Sequence, residues 1–101
     1  MEFLVRFEIG FPHDFPEGEK ERIRAEEREH GERLWDSGVM KRIWRVPGRW
    51  GAIVVYEVES ATHLHEMLSS LPLYPFMDIT VEALADHPFE TDRARTGEEQ
   101  R

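Results

Sequence analysis

Glu27 is the residue whose position is hardest to explain by solubility alone. On a helix read over Glu19 to Ser37, the apolar stripe passes through Ile23 and Leu34, and at 3.6 residues per turn Glu27 and His30 fall on that same stripe. A carboxylate facing the rest of the fold is partly desolvated. Its pKa then moves up toward neutrality, which suits a general base that removes a proton beside a carbonyl. An ordinary ion pair, or a helix rotated enough to expose the side chain, would account for the same spacing. Glu26 and Glu29 point elsewhere around the helix and read as a solvated face. His30 shares the stripe and reads as a packed or hydrogen-bonded histidine.

The second concentration of chemistry is basic. Lys41, Arg42, Arg45 and Arg49 gather about one hairpin, with Trp44 and Trp50 among them. Arginine suits a substrate carboxylate because its planar fork donates two parallel hydrogen bonds. Strand alternation sends Arg42 to the face opposite Arg45. A basic edge that deters strand-to-strand aggregation is the competing explanation for these charges. Trp44, Tyr56, Tyr74 and Phe76 could line an apolar pocket or simply fill the core. His63 and His65 lie about 200° apart around a helix, too far round to grip one ion, and His13 and His87 stand alone, so no metal site is expected. With no cysteine, thiolate catalysis and disulfides are excluded.

The elements that must position these groups follow from periodicity. Phe3, Val5, Phe7 and Ile9 alternate with Leu4, Arg6 and Glu8 as in a strand with one buried face. A loop over Gly10 to Gly18 precedes the long helix, which Gly38 can close. Met40 to Val46 and Trp50 to Val58 read as strands joined by a hairpin at Pro47-Gly-Arg49. Ser60 can cap a second helix carrying Leu64, Met67, Leu68 and Leu71 at helical spacing. Pro72 and Pro75 then make a rigid connector, and Met77, Ile79 and Val81 begin a fourth strand.

The order βαββαβ predicts a ferredoxin-like α+β sandwich, an antiparallel sheet with both helices on one face. Trp50, Ala52, Ile53, Val54, Val55 and Tyr56 put apolar groups on both sides of the third strand, so a partner subunit is expected to cover the helix-free face. A single domain over residues 1–88 is expected, followed by a polar, mobile tail over 89–101.

Composition narrows the partners. A net charge of −8, with 21 acidic against 13 basic residues, argues against nucleic acid. No stretch approaches the ~20 apolar residues of a membrane span, and the start lacks a signal-peptide layout, so no membrane association and a cytoplasmic location are expected.

Several linked motifs together resemble the muconolactone Δ-isomerase family: Arg33-Leu-Trp-Asp-Ser-Gly38, Ile43-Trp-Arg45, the connector Leu71-Pro-Leu-Tyr-Pro-Phe-Met-Asp-Ile-Thr-Val81, and Ala85-Asp-His-Pro88. The resemblance runs from about residue 1 to 88. It implies a dimeric α+β barrel type of fold and a cofactor-free isomerase of aromatic-compound breakdown by the β-ketoadipate pathway. The reaction implied moves a proton, and with it a double bond, within an unsaturated lactone bearing a carboxylate. It also implies a homo-oligomer built from dimers, with a decamer as the candidate ring. The family's proposed catalytic carboxylate matches Glu27 in Ala25-Glu-Glu-Arg-Glu29, and the family-like Trp-Arg pair ranks Arg45 first among the carboxylate binders, ahead of Arg42 and Arg49, with Trp44 and Tyr56 as lining. The chain departs from the family at Ala52 and Val54, where polar side chains are usual, and at Arg49, where a histidine is usual. These departures bear on the substrate rather than the fold. A cofactor-free oxygenase or dehalogenase-like relative, and a non-catalytic ligand-binding or assembly module, are the other functions the scaffold could carry.

Overall fold

The computed structural model describes residues 1–91. β1 (Glu2–Ile9), α1 (Glu17–Asp36), β2 (Met40–Arg45), β3 (Gly51–Glu57), α2 (Ala61–Ser69) and β4 (Met77–Leu84) follow in the expected order. The strands form one antiparallel sheet in the order β2-β3-β1-β4. Both helices cover one face of it, as in a ferredoxin-like sandwich.

The register explains the core. Val5 pairs with Val54 on one side and Val81 on the other, so the odd positions of β1 share a face with Ala52, Val54 and Tyr56. Phe3, Val5, Val54 and Tyr56 are buried there against Leu64, Met67, Leu68 and Leu71 from α2 and the turn after it. α2 begins as its sequence predicts, with the Ser60 hydroxyl accepting a hydrogen bond from the His63 N–H at 3.0 Å. His63 thus belongs to a helix cap; its Nδ1 also accepts from the Glu59 N–H.

Boundaries differ from expectation by one or two residues, three of them for a local reason. α1 starts at Glu17 rather than near Glu19, because Pro16 already has the extended backbone of a cap and the acidic Glu17 and Glu19 favour the first turn. Its other end closes as expected on Gly38, whose φ of +83° is the left-handed conformation glycine adopts freely. β2 stops at Arg45 and β3 begins only at Gly51, since Pro47-Gly48 forms a tight turn in which the Arg49 N–H reaches the Val46 carbonyl and Gly48 takes φ +80°. Trp50, expected within the third strand, therefore precedes it and is 80% exposed. Gly51 is the one residue that fits its place: a Cβ there would collide with the Phe7 carbonyl oxygen of β1.

The helix-free face carries Leu4, Ile53 and Val55, all half-buried, with the more exposed Trp44 and Leu84 beside them. The polar segment expected beyond Pro88 lies outside the described residues from position 92 onward. Among the described residues, no helix is long and apolar enough to cross a membrane.

Candidate active site

A cleft opens between α1 and the sheet at the β2 edge. Its inner part is a cavity of about 450 Å³ floored by Val54 and Tyr56 of β3, with Met40 and Ile43 of β2 at one side and Leu71 and Leu73 at the other. Glu27 and Gly31 form the roof. An outer part of about 620 Å³ shares Phe7, Ile9, Ile43 and Arg45 with the inner one and continues past Ala52 and Trp50. Glu27 and Glu32 are the two carboxylates in the lining, and Glu32 is exposed.

Glu27 is half-buried, and its position is set by the double-proline connector. Pro72 and Pro75 bracket a short helical turn over Tyr74–Phe76, in which the Tyr74 and Phe76 N–H groups bond to the Leu71 and Leu73 carbonyls. The N–H of Leu73 is left free and donates to the Glu27 carboxylate at 2.9 Å. Burial pushes the Glu27 carboxyl above the ordinary carboxylate value, while the Leu73 hydrogen bond and the nearby His30 pull the other way. The result is a carboxylate that takes up a proton more readily than an exposed one, held by a single backbone donor and facing an apolar cavity.

The arginines divide between the two faces of the sheet. Arg45 pairs with Ala52 in the register, which places it on the cleft face, and it lines both parts of the cleft. A register shift between Met40 and Arg42 sets Arg42 opposite Val55 and Trp44 opposite Ile53, on the helix-free face. There the Arg42 guanidinium stacks over the Trp44 ring at 4.8 Å. Arg42 thus lies on the face opposite Arg45, as alternation predicts, and within one chain neither it nor Trp44 shares a cavity with Glu27, which corrects their expected place among the substrate-binding residues. Arg49 sits beside Glu8, 3.7 Å away, and lines neither part of the cleft. Tyr56 does line the inner cavity.

Three cations of the cleft lie outside the hairpin. Arg24 and Arg28 of α1 line both parts of the cleft, facing Arg45 across its mouth, and Lys20 joins them in the outer part. The spacing Lys20, Arg24, Arg28 is i, i+4, i+8, one line along the helix next to Glu27, and that was the available signal. Lys20 and Arg24 both lie over the Phe11 ring, which packs with Phe15 and Phe76 at that end of the cleft. Among the described residues, no three His, Asp or Glu side chains group closely enough to hold a metal ion.

The cleft thus holds a partly desolvated carboxylate inside and cations on both lips. The family model for muconolactone delta-isomerase matches residues 1–90. Muconolactone Delta-isomerase 2 of Acinetobacter lwoffii is 39% identical over 87 residues, which cover 86% of this chain and 91% of the relative. The muconolactone Delta-isomerase of Cupriavidus pinatubonensis is 38% identical, over 87% of this chain and 96% of its own. Among solved structures, a muconolactone isomerase superposes with a TM-score of 0.82 at 35% identity, covering 87% of this chain and 92% of that one. The 5-chloro-2-hydroxyhydroquinone dehydrochlorinase of Burkholderia phenoliruptrix matches at a TM-score of 0.58 and 18% identity, over 86% of this chain and 96% of its own, and so shares the fold.

Proposed function

The chain belongs to the muconolactone delta-isomerase family, and from that premise we propose that it shifts a double bond in a carboxylate-bearing unsaturated lactone, with Glu27 carrying the proton. The observation that supports this most is the Glu27 carboxylate itself: half-buried, raised in pKa, and roofing an apolar cavity whose mouth is lined with arginine. In the reaction, Glu27 takes a proton from the ring carbon allylic to the double bond. The freed electron pair moves the double bond, and negative charge reaches the carbonyl oxygen. The carbon next to the carbonyl then receives the proton from Glu27, so no net proton or electron is gained. One base over one face of the ring suffices for both transfers. Arg45, with Arg24 and Arg28 opposite, holds the carboxymethyl arm at the mouth. Conversion of muconolactone followed by proton NMR tests the reading; a lactone that binds without isomerising would favour a binding module instead.

The same reading includes a homo-oligomer built on a dimer, through the apolar helix-free face around Leu4, Ile53 and Val55. Sedimentation at micromolar concentration is expected to show no stable monomer, and a monomer there would remove the proposal. Residues 1–88 are proposed as the folding unit. Phe89 is 76% exposed and the segment after it is polar, so truncation after Pro88 is expected to leave the melting temperature nearly unchanged. A large drop would show that the segment packs on something.

A further inference from the structure

Tyr56 carries the one hydroxyl in the floor of the inner cavity, and neither proton transfer uses it. Its side chain is 1% exposed, yet its phenol oxygen makes no hydrogen bond to any described residue. It is not a sealed orphan either, because among the described residues no fully buried side-chain polar atom lacks a partner; the oxygen opens on the cavity. A phenol that opens on the cavity beside Val54, Met40, Leu71 and Leu73 is free to donate to a ligand bound there. Val54 and Ala52, its neighbours on the same face of β3, offer no alternative donor. The phenol stays protonated at any working pH: burial, and then the charge of Glu27, push its pKa up. Glu27 and Tyr56 line the same cavity, one roofing it and one flooring it.

We propose that the Tyr56 hydroxyl donates a hydrogen bond to the lactone carbonyl oxygen and holds it as the charge of the dienolate develops there. The proposal rests on the isomerase reading and names the group that stabilises its intermediate. A neutral donor against largely apolar walls gains most when the oxygen becomes anionic, so its contribution falls on the transition state rather than on substrate binding.

Tyr56→Phe keeps the ring that fills the core and removes the donor. With muconolactone, kcat is expected to fall about 100-fold, the lower end for loss of one oxyanion donor, with KM little changed. Tyr74→Phe, which removes a hydroxyl outside the cavity lining, is the control and is expected to match the wild type. A second measurement uses tetronic acid, a five-membered lactone that ionises as its enolate. Its affinity is expected to drop about 10-fold or more in Tyr56→Phe, as for loss of a hydrogen bond to a charged group, while a saturated lactone carboxylate binds as before. Equal kcat and equal tetronate affinity in wild type and Tyr56→Phe would overturn the role of Tyr56 and leave Glu27 as base. A wild type that does not isomerise muconolactone would overturn the isomerase reading beneath it. Parallel losses toward tetronate and the saturated lactone would mean that Tyr56 only shapes the cavity.

Discussion

Replacing Glu27 with Gln is expected to lower the rate of double-bond migration in muconolactone at least ~100-fold, the lower end of what a positioned general base contributes. Gln keeps the shape and can still accept the Leu73 hydrogen bond, so the connector and the cavity are retained. Glu29→Gln changes an exposed residue of the same helix and is expected to leave the rate unchanged. In the wild type, kcat/KM should rise with pH as Glu27 ionises, at a pH higher than for an exposed glutamate, and then level off; Glu27→Gln should lose that limb. Stability changes in the opposite sense. The folded state binds the Glu27 proton more tightly than the unfolded chain, so between the unfolded and the raised folded pKa, stability falls as pH rises. Glu27→Gln is therefore expected to be more stable than wild type at neutral pH, with the difference vanishing in acid. Thermal melts across pH read this directly, and a variant less stable at neutral pH would show that the carboxylate supports the fold.

The second large effect is expected at Arg45. Arg45→Met keeps the aliphatic stem and removes the fork, and kcat/KM for a lactone carboxylate should fall about 10- to 100-fold, the range for a lost hydrogen bond to a charged partner. The loss should shrink sharply for the corresponding methyl ester, which has no charge to bind. Arg42→Met, on the other face of the sheet, should change kcat/KM by no more than about 2-fold in an assembled protein. If Arg45→Met behaved like Arg42→Met while Arg28→Met carried the loss, the anchor would belong to α1 instead.

These contrasts follow from what the sequence could and could not specify. Alternation in β1 and β3, the capping serine at Ser60, Gly38 and Pro47-Gly48 made the element order readable, because each reflects a local backbone or burial requirement. Glu27 could be singled out because helical periodicity set it among apolar residues. Alternation gives only relative phase within a strand, however. The irregular pairing near Lys41 fixes which face of β2 meets the helix; alternation alone already puts Trp44 with Arg42 and opposite Arg45, so grouping Trp44 with Arg45 rested on nearness in sequence rather than on strand geometry. Arg24 and Arg28 looked like part of a solvated helix because a charged lip and a solvated surface have the same local spacing; only the placement of α1 over β2 distinguishes them. Tyr56 was legible as lining, while its unpaired hydroxyl depended on every neighbour it does not have.

The most direct test is wild-type protein with muconolactone in deuterated water, followed by NMR. The account predicts that the double bond migrates and that the proton returned to the carbon beside the carbonyl exchanges partly with solvent while it resides on Glu27. An unchanged lactone, with neither migration nor exchange, would contradict it.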